Sequence, residues 1–365
     1  MTTRRDLYLG GVSLAILAAG GAWATAHDMG SMEAYSASVA RARATLPQTP
    51  DLAELIRYAT LAPSGHNTQP WTFRASADQI QILPDSRRRT PVVDPDNHHL
   101  FVGLGCAAEN LALAAKARGL GDAMAFNATG DGSITLKLDR GPVTPSVLFE
   151  AIPQRRSARG VYDGSAVSTA DLRSLADAAA DPGVDLALIT DRAGIGRIRD
   201  LIISGNTLQM SDPAFMRELW SWIRFSPRQA METGDGLFTA TTGNPTLPAW
   251  LGPTFFDRAI SAGAENDRYA RQVTSSSGLA VFLAKTADPE HWTRVGRAAQ
   301  RFALQATVLG LRHAFINQPV EVASLRPELA HLVGLPGRRP DLLLRFGYGA
   351  ALPFSARRPV EAVLA

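Results

Sequence analysis

The chain has 365 residues, 45% of them hydrophobic, which is room for one large domain or two ordinary ones around a sizeable core. Charged residues make up 19%, which excludes wholesale disorder, and a formal charge of +3 is too small to mark a nucleic-acid binder. The single cysteine, Cys106, excludes a disulfide framework, a thiolate zinc site and an iron–sulfur cluster within one chain. Its Ala-rich setting reads as a small buried apolar position.

The N-terminus reads as an address. Arg4 and Arg5 precede an uncharged run from Leu7 to Ala26, and Ala24-Thr25-Ala26 gives a small-x-small cleavage site. The arginine pair resembles the twin-arginine export signal, which implies export of a folded chain to a periplasmic or extracytoplasmic compartment by that machinery. Left uncleaved, about 20 apolar residues would anchor the chain in a bilayer. Residues 1–26 are therefore set apart from the fold, and residues 27–49, with weak helical potential and Pro47 and Pro50 at their end, read as a linker.

Asp51 caps a predicted helix carrying Leu52, Leu55, Ile56 and Ala59 at helical spacing, stopped by Pro63. Residues 71–84 alternate like a strand pair with a turn at Ala75–Asp78. Gly105–Leu120 is an apolar helix, and Ile134–Leu138 alternates again. Asp171 opens a further helix. Residues 278–285 (GLAVFLAK) and Leu342–Phe346 read as buried strands.

An internal repeat organises these elements. GCAAENLALAAKARGL (105–120) and GRAAQRFALQATVLGL (296–311) share Gly, Ala, Ala, Ala, Leu, Ala, Gly and Leu at a constant offset. Asp51-Leu-Ala-Glu-Leu and Asp171-Leu-Arg-Ser-Leu each stand ahead of one of these helices. The period is too long for a solenoid and predicts two fused copies of one α+β unit, residues 50–150 and 151–365. An insertion at about 205–265 interrupts the second copy. Phe215, Met216, Leu219, Trp220 and Ile223 have helical spacing there. Met231–Pro253 reads as a long loop packed by its own aromatics, either a lid or a groove-filling excursion.

Three short motifs carry chemistry. In PSGHNTQPW (63–71), Ser64, Asn67 and Gln69 are suited to hydrogen-bonding a planar heteroaromatic. In RRSAR (155–159), Arg155, Arg156, Ser157 and Arg159 are suited to a phosphate ester. RRP (357–359) adds Arg357 and Arg358. Other candidates are weaker. His98 and His99 with Asp94 and Asp96 complete no spaced metal set, Gly194-Ile-Gly196 lacks the rest of a dinucleotide fingerprint, and Ser64 and Ser157 stand in no triad context. His66 reads as a turn residue or a substrate contact.

Together PSGHNTQPW, RRSAR, Gly310–Pro319 and the terminal RRP resemble the nitroreductase family of flavoproteins. The repeat, the insertion and the export signal narrow this to its duplicated, single-chain Acg-like branch. The resemblance, over about residues 50–365, implies an α+β sandwich in which two fused copies mimic the family homodimer. It implies FMN at their interface, held by Arg155, Arg156, Ser157 and Arg159, with Arg357 and Arg358 at the phosphate. Ser64, Asn67 and Gln69 would come from the facing half, and Asn317 and Gln318 would lie near the flavin's redox edge. Ser38–Arg43 lacks a clean RRSxR and Ala178–Ile189 lacks PSxxNxQPW, so one FMN site per chain and a monomer are expected. The implied activity is flavin-dependent oxidoreduction. The donor would be NAD(P)H or another reductant, the acceptor a small aromatic such as a nitroaromatic or quinone, and no side chain would be obligatory in catalysis. The alternative is a non-catalytic stress protein that sequesters FMN beneath a lid. A further alternative is an anchored structural protein with a dead site.

Overall fold

The computed structural model describes residues 28–121, 123–252 and 261–365. The expected export signal lies outside these residues. Among the described residues no helix is long and apolar enough to cross a membrane.

The first half runs α2 (Leu52–Thr60), β1 (Trp71–Ser76), β2 (Gln79–Pro84), α3 (His98–Lys116), β3 (Met124–Phe126) and β4 (Ile134–Lys137). Its sheet is antiparallel with strand order β1-β2-β4-β3. The second half runs α5 (Thr169–Ala179), β5 (Val184–Ile189), β8 (Gly278–Ala284), α10 (Pro289–Val308), β9 (Arg312–Phe315) and β10 (Leu342–Gly347). Its sheet is also antiparallel, in the order β5-β8-β10-β9. Both halves thus use one plan. A helix leads into a strand pair, a long helix follows, and the last strand slots between the pair and the third strand. The class is α+β, as the alternating and helical periods predict.

Local chemistry sets the helix ends. Asp51 caps α2, its carboxylate accepting from Glu54 N at 2.8 Å. Asp171 does not open its helix. Ser168 is the cap, its hydroxyl accepting from Asp171 N at 3.1 Å and donating to the Asp171 carboxylate at 2.8 Å. Both long helices begin seven residues earlier than the repeat suggests. Asp288 caps α10 by accepting from His291 N, and the Asp94 carboxylate takes the orphan His99 and Leu100 N–H groups of α3. His98 and His99 are therefore first-turn helix residues.

The two long helices cross at Gly105 and Gly296 and form the seam between the halves. The first sheet buries one face: β1 alternates at its start, with Trp71 and Phe73 inward. In the second sheet every residue of β8 and β10 is buried. The cause is the insertion, which replaces the tight turn after β1 with residues 190–277 after β5. It is larger than the sequence suggests, for it begins with α6 (Arg192–Ser211) and ends with α9 (Ala262–Thr274). Ile195, Ile198, Leu201, Ile202 and Val273 from these two helices cover the outer face of the second sheet. Between them lie α7 (Pro213–Ser221) and α8 (Pro227–Thr233). Trp250 does not pack its loop; it is 64% exposed.

The halves also exchange edges. Phe73 N donates to Val363 O at 2.7 Å and Ala365 N to Phe73 O at 2.9 Å, so the C-terminal tail extends the first sheet. Residues 27–49 are more than a linker. They contain α1 (Met32–Ala42), whose Tyr35 and Val39 pack with Ala230, Phe238 and Ala356. The Tyr35 hydroxyl donates to Phe354 O at 2.6 Å, which binds this helix to the C-terminal tail.

Candidate functional site

The turn after α2 is strained in a way that ordinary loops avoid. His66, Asn67 and Gln69 all have positive φ (47°, 55° and 53°) without being glycine. Side-chain bonds hold Asn67 and Gln69 there. Asn67 Nδ2 donates to Gly236 O at 3.1 Å and Ala356 O at 3.2 Å, and its Oδ1 accepts from Arg357. Gln69 Nε2 donates to Gly234 O at 2.9 Å, while its Oε1 accepts from Arg358 N at 2.9 Å. Ser64 Oγ accepts from Gln69 N at 2.9 Å. The turn is thereby tied to the insertion and to the C-terminal tail at once.

Beside it lies a cavity of about 440 Å³. Pro63–His66 form one wall, and Gly103 and Cys106 of α3 form another. Arg159, Asn317 and Gln318 come from the second half. Phe215, Leu219, Phe225, Thr239, Arg268 and Tyr269 come from the insertion. This volume suits a small-molecule ligand, and the mixture of apolar wall and a few polar groups suits a flat aromatic one. Gln318 is 7% exposed, and its Oε1 has no partner among the described residues. Nor does the Arg159 guanidinium bond to any described residue; burial lowers its pKa. Arg268, by contrast, is paired with Glu265. Arg159 is thus an unneutralised cation on the wall, and Gln318 an unmet acceptor.

A second assembly stands behind Cys106. Arg155, Arg156 and Arg357 are close enough to lower the pKa of Arg43, and Arg155 that of Arg357, and among the described residues none of the four is paired with a carboxylate. Burial, then Arg357, Arg155 and Arg156, holds Arg43 well below its ordinary value. Burial, and then Arg155, brings Arg357 to about 9. Burial alone brings Arg155 to about 10. Arg43 and Arg156 both stack on the Phe354 ring, 4.0 and 3.4 Å from its centroid. Arg155 donates through Nη2 to Leu61 O at 2.8 Å, but its Nε and Nη1, and Nε of Arg156, are buried without partners. Buried like charges with unmet donors are costly unless an anion joins them. The donor set fits a phosphate ester.

The sequence-derived residues therefore divide into three groups. Ser64, Arg159, Asn317 and Gln318 meet on the cavity wall. Asn317 also accepts from Leu343 N at 2.9 Å and so fixes its own loop. Arg155 and Arg156 meet in the arginine assembly, and Ser157 pairs with His313 at the edge of the second sheet. Asn67, Gln69, Arg357 and Arg358 do not reach the cavity, because their polar atoms are spent on protein. Arg357 alone makes six hydrogen bonds, to Thr60, Leu61, Ala62, Asn67, Ser355 and Ala356. Arg358 donates to carbonyls of Gln69, Trp71 and Ala362.

Sequence reasoning missed Arg43, although its segment, Ser38–Arg43, stands where the first half's RRSxR would fall. It also missed Arg345, a buried residue that donates to Ala158 O and Gly160 O and so holds the RRSAR backbone. No motif marks either residue. Asp94, His98 and His99 place donor atoms within 4.8 Å of one another, but both Asp94 oxygens serve as the cap of α3. Cys106 is buried as expected, its thiol donating to Gly296 O at 3.1 Å and burial pushing its pKa up to about 12.

No family model matches the chain. Two Mycobacterium tuberculosis proteins, each named "Putative NAD(P)H nitroreductase", are similar to it. One is 26% identical over 333 residues, 87% of this chain and 92% of that protein. The other is 25% identical over 337 residues, 87% of this chain and 96% of that protein. Among solved structures, a nitroreductase with bound FMN from Desulfitobacterium hafniense aligns at 14% identity and a TM-score of 0.38, covering 59% of this chain and 96% of its own. An FMN-dependent nitroreductase from Mycobacterium smegmatis in complex with NADPH aligns at 11% identity and a TM-score of 0.37, covering 56% of this chain and 87% of its own. By sequence, across most of its length, the chain is similar to the nitroreductase family.

Proposed function

We propose that this chain is an FMN-dependent oxidoreductase of the nitroreductase kind, taking electrons from NAD(P)H and delivering them to a small flat acceptor such as a nitroaromatic or quinone. The observation that carries the reading is the buried, carboxylate-free arginine assembly next to a cavity of about 440 Å³ with an unpaired cation on its wall. FMN joins a flat ring to a phosphate and matches both parts. The similarity to proteins named as NAD(P)H nitroreductases supports the donor and the reaction class.

Bound FMN would supply hydride transfer. The protein's own residues do the rest. Arg155 and Arg156 would hold the phosphate, with Arg43 and Arg357 adding positive field. Ser64, Arg159, Asn317 and Gln318 would line the ring. Asn67, Gln69 and Arg358 lock the strained turn, and the insertion's aromatic wall excludes water. The fusion of two copies is supported by the shared strand plan and by the complementary motifs, with PSGHNTQPW in one half and RRSAR in the other. It leads to one FMN per chain and a monomer. The insertion, 190–277, acts as the lid. Twin-arginine export would place the folded chain outside the cytoplasm.

An absorbance spectrum of purified protein, then the same spectrum after anaerobic NADPH and after dithionite, tests this. A flavin band at one per chain that bleaches is expected. A band that resists both reductants would favour FMN storage. No band after incubation with FMN would overturn the reading.

A further inference from the structure

The cavity carries a titratable pair that flavin binding does not use. Glu321 closes α11 (Gln318–Glu321), and His99 lies in the first turn of α3. Both line the cavity. Glu321 Oε1 stands 4.0 Å from His99 Nδ1, and Glu321 Oε2 accepts from Gln209 Nε2 of the insertion at 2.6 Å. The carboxyl, carried by the second half, therefore faces His99 of the first half and is steadied by Gln209 of the insertion. His99 Nε2 is buried and has no partner among the described residues. Behind His99, at a ring-centroid distance of 4.6 Å, His98 places Nε2 3.0 Å from Asp341 Oδ1.

We propose that Glu321 is the proton donor to the acceptor, and that His99 positions and reloads it. This rests on the flavin reading above. Two-electron reduction of a quinone to its hydroquinone takes up two electrons and two protons: bound flavin, reduced by NAD(P)H, would supply one hydride equivalent, and one further proton is needed. The Glu321 O–H bond breaks as an acceptor O–H bond forms, and the carboxylate left behind regains its proton from solvent through His99.

The surroundings favour a held proton. Burial raises the Glu321 pKa above the usual carboxyl range. Asp94 and Glu218 push the same way, while His99 and the Gln209 hydrogen bond oppose it. Burial and His98 lower His99, against Asp94 and Glu321, with Arg339 adding to the lowering. A neutral carboxyl beside a neutral imidazole is thus favoured to higher pH than in water. The carboxyl thus keeps its proton to higher pH than a carboxyl in water does, the direction a general acid needs.

The test is Glu321→Gln in the flavin-loaded chain, with the flavin band read first. The rate with a benzoquinone, which needs a proton, is compared with the rate with ferricyanide, which takes electrons alone. The quinone-to-ferricyanide ratio should fall about 100-fold, the low end of general-acid contributions. Its decline with rising pH should vanish. His99→Gln should shift that pH profile without removing it. In the unmutated chain without acceptor, a protonated-carboxyl infrared band lost in Glu321→Gln should titrate at the pH where the ratio declines. An unchanged ratio, an equal fall with both acceptors, or no such band overturns the proposal. A chain with no flavin band, or one that dithionite does not bleach, overturns the flavin reading instead.

Discussion

Gly105 and Gly296 lie against each other's helix backbones where α3 and α10 cross. A Cβ on Gly105 would stand 2.0 Å from the Thr293 carbonyl oxygen, and one on Gly296 would stand 2.0 Å from that of Val102. These are the two glycines that the repeat superposes. Reciprocal contact of equivalent positions is what a two-fold pairing of like units requires. Neither helix can retreat, because Cys106 bonds to Gly296 O and Arg297 and Arg301 bond to Glu109 across the seam.

Gly296→Ala should therefore destabilise the chain by about 3 kcal/mol, the upper range for overpacking, and lower Tm by about 4 °C. Gly196→Ala, in α6 with nothing within 4 Å of its Cβ, is the matched control. It should be neutral or slightly stabilising, since alanine is the better helix former. Equal melting of the two variants would contradict the close crossing.

Removing a charged donor from the arginine assembly should cost phosphate affinity specifically. Arg156→Ala and Arg43→Leu should each weaken FMN binding about 10- to 100-fold, the equivalent of one charge-assisted hydrogen bond. Riboflavin has the same ring but no phosphate, so its weaker binding should hardly change. Fluorescence titration of both flavins reads this directly. An equal loss for the two flavins would place these arginines at the ring.

Acid should destabilise the chain over a defined window. Burial lowers His66 to about 4, His98 to about 3 and His313 to about 3. Arg155 and Arg312 add to the effect at His313. The unfolded chain then binds more protons than the folded one between about pH 6.5 and these values. This stability is fully present above pH 6.5 and is lost as pH falls through the window. Asp341, which burial raises to about 6, acts in the opposite sense between about 3.8 and 6, as does Glu321, also raised by burial, while His99, lowered by burial, adds to the three histidines. Urea midpoints of flavin-free protein should fall steadily from pH 6.5 to pH 4, and His313→Asn should flatten that slope.

The insertion should come loose without Asp235. This buried carboxylate pairs with Arg224 of the insertion at 2.6 Å and also with Arg88 of the first half. Asp235→Ala leaves two half-buried guanidinium groups unneutralised, a loss of about 3–5 kcal/mol for a broken buried pair. Limited proteolysis should then cut within residues 212–252 well before it cuts the long helices. An unchanged cleavage order would mean that the insertion is held by its apolar face alone.

Much of this molecule was legible before its fold. The strand pair at 71–84, the long glycine-bounded helices and the buried strands at 278–285 and 342–346 follow from period and composition, since local sterics and burial act over a few residues. The helix starts were less legible. Caps such as Asp94 and Ser168 lie outside the apolar repeat, and Asp94 reaches five and six residues ahead. The insertion's first and last helices stayed hidden because their apolar faces are thin and mean something only against the second sheet.

The site divides in the same way. Sequence by itself determined which residue types are present: arginines in RRSAR, small hydrogen-bonders in PSGHNTQPW, and one complementary motif in each half. Only the tertiary structure decided their tasks. Asn67, Gln69, Arg357 and Arg358 turn inward to satisfy backbone groups of three distant segments, because a strained turn and a chain end must be bonded when buried. Arg43 joins the arginine assembly from the end of α1, a segment with no motif. Glu321 and His99, 222 positions apart, meet because the crossing of two long helices carries the start of one past the loop that follows the other. Spacing along a chain encodes local geometry; a site between two halves is fixed by their packing.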